Sequence, residues 1–428
     1  MRLAIFKQFF HDTSLTFSPS SKFQRQIKSK KGEKRWLFYA TDFQSLMYPC
    51  FIFCRILGIL PYKINTSSFE TPKSYNIPST IITCFFCSYS LIIICMGNIC
   101  GWFHDNVPRS IAINSFYIFG SFILIITFVL NKPRIRLLQI ILQISSRLPS
   151  ESYQQSSMLI HAKDIFGFSF LLIQSALCCD PNFVTSIVTH LSTLYMLLLV
   201  FMMDMLYINC VCVLKACFKE INDDLANLLI TNNKSHSAIW IYHEQRNHLL
   251  LMKLNYLKKR HLMVNDIVQK LNIIFSPQLL ATIALSFIEV TFELYFNMVE
   301  WKNGLYINLA KQIHHTYVLT YITYYFVKVA LIAWACETGK NQAIKIRTTV
   351  HDVLNNINNE QIKYELHLFS LQIMHCDNIF SAKGLSLNAT LVRAMMGTIT
   401  TYFLILIQFL ILSHSCDEKT ASNVTQTI

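Results

Sequence analysis

Long apolar runs with few or no acidic or basic residues alternate with polar, mostly basic connections along the chain. A membrane-crossing helix takes about 20 mostly apolar residues. The pattern predicts seven spans: Ile77–Phe103, Ser110–Asn131, Ile165–Cys179, Asn182–Cys212, Leu271–Met298, Lys311–Cys336 and Ala394–Cys416. Asp180-Pro181 separates the third and fourth as a tight hairpin. Residues 132–163 read as a polar loop, with Lys132, Arg134, Arg136, Arg147 and Lys163. Beyond the fourth span Leu214, Phe218, Ile221, Leu225 and Leu228 keep helical spacing. Leu250, Leu254, Leu257, His261, Val264 and Val268 lead into the fifth span with the same spacing. Some 20 extra residues at 1.5 Å each extend a helix by roughly 30 Å, so a helical layer beyond the bilayer is expected. Tyr364 to Cys376 is amphipathic, with Leu366, Leu368, Phe369, Leu371, Ile373 and Met374 among polar neighbours.

Composition agrees. Of 428 residues, 53% are hydrophobic and 14% charged, with a mean hydropathy of +0.38. A soluble chain carries about a quarter charged residues. The fold class is therefore all-α and polytopic. The net charge of +13 is read as basic cytoplasmic segments, with no nucleic-acid partner implied. The 14 cysteines fall largely inside apolar runs, and Cys84-x-x-Cys87 has no second pair, so neither a disulfide framework nor a metal site is expected.

Charge sets the expected orientation. Alternate assignment of sides places the N-terminal head, 132–163, 215–270 and 337–393 together. Loop 215–270 alone holds Lys215, Lys219, Lys234, Arg246, Lys253, Lys258, Lys259, Arg260 and Lys270. The other side collects Arg109, Lys302 and Lys419. The basic side is cytoplasmic, which puts the N-terminus inside and the C-terminus outside. The head lacks a signal-peptide pattern and carries Lys28 to Arg35, a basic run that is either a solvated arm or a contact for membrane lipids. Residues 43–62, apolar but holding Arg55 and Pro61, are then a short amphipathic pre-helix rather than a span. The expected layout is 1–76 cytosolic with that pre-helix, 77–336 for six spans with the extension 215–270, and 337–393 cytosolic. The last span, 394–416, follows, and then an outer tail, 417–428, in which Asn423-Val-Thr is a glycosylation sequon.

Ionisable groups inside spans are costly and mark function. They are Asp204, Glu289, Glu293 and Lys328. Glu289 and Glu293 lie one helical turn apart, and His314, His315, Tyr317 and Tyr321 fall at similar depth, with Tyr324 and Tyr325 a turn deeper. They form either a polar pocket open to the outside or a set of internal pairs with an aromatic belt. No His-x-x-x-His pair is present, so no catalytic metal, cofactor or enzyme activity is expected. The topology and the missing Asp-Arg-Tyr and Asn-Pro-x-x-Tyr motifs exclude the G-protein-coupled pattern. The last run carries Thr398, Thr400, Thr401, Tyr402 and Gln408, and Gln408 needs either a protein partner or water.

Thr401-Tyr402, five residues, then Gln408-Phe409 resembles the Thr-Tyr-x5-Gln-Phe signature of insect gustatory receptors. The approach from Phe380 to Leu391, with Gly384 at the turn, is similar to that family too. The resemblance implies a ligand-gated, non-selective cation channel in the plasma membrane of gustatory neurons. Four subunits, identical or mixed with other gustatory receptors, pack around one pore. Carried over, Thr401, Tyr402, Gln408 and Phe409 line or gate that pore, and the cytosolic helices form an anchor between subunits. The ligand pocket lies among helices two to six, near Glu289, Glu293, His314, Tyr317, Tyr321 and Tyr324. The ligand is a small-molecule tastant, a bitter plant compound by this reading. The alternatives are a sugar sensor and an odorant-type subunit that needs a co-receptor.

Overall fold

The computed structural model describes the backbone of residues 38–60, 63–65, 68–70, 76–99, 107–177, 184–233, 240–302, 309–357, 359–376 and 378–425. Side chains are described there except at 63–70, 76–77, 177, 184–186, 229–233, 240–246, 300–302, 309–315 and 410–425. The basic run Lys28–Arg35 and the Asp180-Pro181 turn lie outside the described residues.

Two short helices come first, α1 (Phe43–Leu46) and α2 (Tyr48–Ile56). Asp42 caps α1 by accepting the Ser45 amide at 2.7 Å, and the Asp42 amide in turn donates to the Ser45 hydroxyl oxygen at 3.1 Å. Phe43, Leu46, Pro49, Cys50, Phe51 and Cys54 are buried. A small hairpin, β1 (Lys63–Asn65) and β2 (Ser68–Glu70), follows. Seven helices among the described residues are long and apolar enough to cross a membrane. They belong to α3 (Asn76–Ile99), α4 (Val107–Val129), α6 (Ser150–Leu177), α7 (Val184–Asn233), α8 (Trp240–Lys302), α9 (Leu309–Asn356) and α11 (Ala389–Thr425). Their extension past bilayer length is large: α7 has 50 residues, α8 has 63 and α9 has 48.

The structure corrects the loop expected at 132–163. Residues Asn131–Ser145 form a helix, α5, and α6 begins at Ser150, well before the predicted third span. The basic residues there hid an apolar face: Ile135, Leu138, Ile141 and Ile144 are buried at helical spacing. Polar residues of α6 are likewise consumed by packing. Phe38 donates its amide to His161 Nδ1 at 2.9 Å, so the proton sits on Nε2, which donates to the Ser45 and Leu46 carbonyls at 3.1 and 3.0 Å. Asp164 takes Lys163 at 2.5 Å and the Asn209 amide at 2.8 Å. These bonds fasten the pre-helices and α7 to α6.

Helix α7 is the centre of the packing, with α2, α4, α5, α6, α8 and α9 all against it. Met196 and the residues from Leu198 to Leu214 are buried on every face. Close approach is visible at Gly167 of α6, where an added Cβ would lie 2.2 Å from the Phe201 ring.

After α9 comes α10 (Glu360–His375), capped by Asn359, whose side chain accepts the Gln361 and Ile362 amides. Its buried stripe of Ile362, Leu366, Phe369 and Ile373 faces α8 and α9. Phe369 meets His261 edge-on at 5.6 Å, and Lys258 pairs with Glu365 at 2.6 Å. A hairpin, β3 (Ser381–Ala382) and β4 (Leu385–Ser386), leads to α11. Lys383 and Gly384 at its tip have φ of 48° and 89°, the two positive values of a type I′ turn, which glycine adopts without strain. The hairpin is tied to α8: Asn272 donates to the Ile379 carbonyl at 2.7 Å, and the Lys383 amide donates to Ser276 Oγ at 3.0 Å. Asn388 accepts the Leu391 amide at 3.2 Å and Glu337 accepts the Ala389 amide at 3.2 Å, so the α11 N-terminus is capped by two side chains.

Candidate functional site

A cavity of about 570 Å³ opens between α3, α4, α7, α8 and α9. Ile93 and Met96 come from α3; Arg109, Phe116 and Tyr117 from α4; and Thr189 and Thr193 from α7. Helix α8 supplies Glu289, Glu293, Phe296 and Asn297, while α9 supplies Val318 and Tyr321. Glu289 and Glu293 share a face because they are one turn apart. The Tyr321 hydroxyl donates to Glu289 Oε2 at 3.1 Å and also meets the Tyr325 hydroxyl at 3.1 Å. Tyr117 and Thr193 are hydrogen-bonded at 3.3 Å, and Tyr89 and Thr189 at 2.8 Å.

Below the cavity floor runs a buried polar chain. Lys328, 2% exposed, lies 4.7 Å from the centre of the Tyr325 ring and 5.4 Å from that of Tyr324. Its Nζ is 3.7 Å from Asp204 Oδ2, and Asp204 is fully buried. The other oxygen of Asp204 accepts from Gln278 Nε2 and Thr282 Oγ1, each at 3.2 Å. Gln278 then accepts from Arg134 at 3.0 Å with its own oxygen. Arg134 also donates to the Thr127 carbonyl at 3.3 Å and stacks 5.1 Å from the Phe275 ring. Burial pulls the Arg134 guanidinium down to about 9, which leaves it charged at neutral pH. Four ionisable side chains, Arg134, Lys328, Asp204 and Glu289, are thus strung through the core. Each is held by donors or rings, as buried charge requires.

A narrow crevice lies between α8, α9 and the last helix. Tyr325, Phe326, Val329, Ser286 and Val290 face Val392, Met395 and Ile399 of α11 across it. Tyr325 links the two sites: its hydroxyl meets that of the cavity residue Tyr321, and it lines the crevice that α11 closes.

The sequence-derived candidates separate on this frame. Glu289, Glu293 and Tyr321 line one cavity. Tyr317 stacks on Tyr321 with ring centres 5.9 Å apart. Tyr324 does not line the cavity; it lies over Lys328, against Phe170 and Phe201. The side chains of His314, His315 and Asn423 lie outside the described residues. On α11 the hydroxyls of Thr398, Thr400 and Thr401 turn back to the carbonyls of Ala394, Met396 and Gly397. Tyr402 packs edge-on against Phe287 of α8 at 5.8 Å, while Gln408 and Phe409 are exposed on the single chain. Arg109, Phe116, Tyr117, Thr189 and Thr193 were not singled out for the pocket, nor Arg134 and Gln278 for the buried chain. Each sits among residues of like character, and only a neighbouring helix distinguishes it. Among the described residues no three His, Cys, Asp or Glu side chains gather as metal ligands would.

Known proteins show the same architecture. Two structures of the olfactory receptor OR5 from Machilis hrabei, one in complex with eugenol, superpose with TM-scores of 0.63 and 0.62 at 12% identity. The overlap covers 85% and 86% of this chain and 97% and 98% of theirs, and establishes a common fold. In sequence, gustatory receptor 28b of Drosophila melanogaster is 29% identical over 157 residues, covering 35% of this chain and 32% of that protein. Gustatory receptor 28a of the same species is 27% identical over 206 residues, covering 48% and 44%. The chain thus matches less than half the length of either relative. The family model described as 7tm Chemosensory receptor matches residues 47–413, from the second pre-helix through the last apolar run. With seven apolar helices, a shared fold and that near-complete match, the chain belongs to the 7tm chemosensory receptor family.

Proposed function

We propose that this chain is a gustatory receptor subunit: a ligand-gated, non-selective cation channel of the sensory-neuron plasma membrane, opened by an external bitter plant compound. The observation that carries the reading is the contact path from cavity to last helix. Glu289 in the cavity holds Tyr321, Tyr321 holds Tyr325, and Tyr325 borders Met395 and Ile399 of α11. A ligand that shifts the Glu289–Tyr321 pair changes the packing of the helix proposed to line the pore, and a ligand gates only through such a difference between two states.

Four copies around one axis give α11 the cover it lacks in the single chain. Leu404, Ile405 and Phe409 are 53%, 38% and 69% exposed on it, a density of apolar surface that marks an interface or lipid. Helix α10 carries a second, outward apolar stripe of Tyr364, Leu368, Leu371 and Met374, which suits the subunit contacts proposed for the anchor. In this arrangement Thr401, Tyr402, Gln408 and Phe409 meet the ion path or the adjacent subunit, and water in the path satisfies the Gln408 amide.

The test is expression of the chain alone in a cell line, with currents read against bitter compounds and sugars. Ligand-evoked unitary current steps support a homomeric channel. Their absence from the chain alone, with their return on adding a second receptor, makes it a heteromeric subunit. Tyr325→Phe removes the hydroxyl that meets Tyr321 and is expected to lower the maximal current while ligand binding holds. Unchanged gating in that variant removes the contact path as the coupling element.

A further inference from the structure

We propose that the cavity accepts an organic cation, a molecule with an apolar or aromatic body and a protonated or quaternary amine, with Glu289 as its counter-ion. The inference rests on the reading of this cavity as the ligand site. It concerns which chemistry the lining selects.

Glu289 is 7% exposed, and the surface it keeps belongs to a cavity-lining residue. One oxygen takes the hydrogen bond of Tyr321, and no other described residue donates to this carboxylate. No described Lys, Arg or His forms an ion pair with it. Lys328, the nearest buried cation along the polar chain, is committed to Asp204 at 3.7 Å. Ionising a buried carboxylate without a cation beside it is costly. A ligand amine placed in the cavity supplies the missing charge. Among the described lining residues the basic group is Arg109, which is exposed.

The other groups of the lining discriminate further. Phe116, Tyr117, Phe296 and Tyr321 present aromatic rings, whose faces attract cations. Apart from Asn297, the neutral hydrogen-bonding groups that line the cavity are hydroxyls already engaged: Tyr117 with Thr193, Thr189 with Tyr89, and Tyr321 with Glu289 and Tyr325. A polyol needs many such groups and would have to break those pairs; an ammonium ligand needs only the carboxylate and the rings. The volume, about 570 Å³, falls within the usual range of roughly 300–1,000 Å³ for small-molecule pockets.

The experiment uses the full chain, purified in detergent, with benzyltrimethylammonium and its uncharged carbon isostere neopentylbenzene as paired probes. Binding is measured directly and in parallel with currents. The wild type is expected to bind the ammonium in preference to the isostere. Glu289→Gln, which keeps an oxygen for Tyr321, is expected to bind the ammonium at least about tenfold more weakly, with the isostere unchanged. Glu289→Asp, which keeps the charge, is expected to restore most of the preference. Equal binding of the two probes by the wild type, no binding of the ammonium, or undiminished ammonium binding by Glu289→Gln overturns the proposal. Charge-selective binding that evokes no current, whether the chain is expressed alone or with a second receptor, leaves the ligand class standing and removes the channel reading instead.

Discussion

The fourth and last membrane helices are both apolar runs of bilayer length, and they live in opposite surroundings. Of the apolar stretch of the fourth, 94% is buried within the chain; of the last, 6%. The fourth carries Asp204 and Asn209, each fully buried; Lys328, Gln278 and Thr282 surround the Asp204 carboxylate, and Asp164 accepts the Asn209 side-chain amide. The last carries Thr398, Thr400 and Thr401, whose hydroxyls are satisfied by their own helix, and Gln408, which points outward. Lipid is as apolar as a protein core, so hydropathy cannot separate the two environments. The polar residues separate them. Charges occur where neighbouring helices supply partners, and helix-satisfied hydroxyls occur where no neighbour is present within the chain.

That contrast can be broken at its strongest point first. Asp204→Ala leaves Lys328 buried without an anion and is expected to cost about 3–5 kcal/mol, seen as lost expression or a lower melting temperature in detergent. Replacing Lys328 by Met in the same chain is expected to return most of that loss; a single variant that melts like wild type means the pair does not hold the fourth helix in place. Gly167→Ala comes next. Its Cβ would lie 2.2 Å from Phe201, and overpacking of this kind costs about 1–3 kcal/mol. Tolerance of alanine there would mean that the third and fourth spans have room to part. Smaller again is Asn388→Ala, which removes one cap from α11 for about 1 kcal/mol and leaves Glu337 on the Ala389 amide. Faster amide exchange confined to the first turn of α11 is its signature.

The smallest effect on stability sharpens the comparison most. Gln408→Ala, on the exposed helix, is expected to change the melting temperature by the equivalent of no more than about 0.5 kcal/mol. Surface expression is expected to stay intact, while ligand-evoked current or ion selectivity changes. A large loss of stability would place Gln408 in a packed contact like those of the fourth helix; an unchanged current would remove it from the ion path.

Much of this architecture was legible in the residues. Seven apolar runs, the helical continuation of Leu214 to Leu228, the amphipathic Tyr364–Cys376 and the turn at Gly384 could all be read from periodicity and turn chemistry. Residues 132–163 were misread for a physical reason. Arg134 and His161 in this stretch, and Asp164 just after it, are polar, and polarity in a connection ordinarily means solvent. Here their partners lie far along the chain, with Arg134 on Gln278, His161 on the pre-helices and Asp164 on Asn209. Only half of the cavity was legible too. Glu289, Glu293 and Tyr321 stood out as costly or polar residues in apolar runs, whereas Arg109, Phe116 and Tyr117 look ordinary until α4 is placed beside α8.

The sequence by itself determined that the chain is a seven-helix membrane protein and which residues are too polar for lipid, because hydrophobic length and the cost of buried charge are local properties. The tertiary structure decided which of those residues meet. Asp204 with Lys328, Glu289 with Tyr321, and Tyr325 with the last helix are pairings across helices. Helix packing chooses such partners by shape over long sequence separations, and no spacing along one helix encodes them.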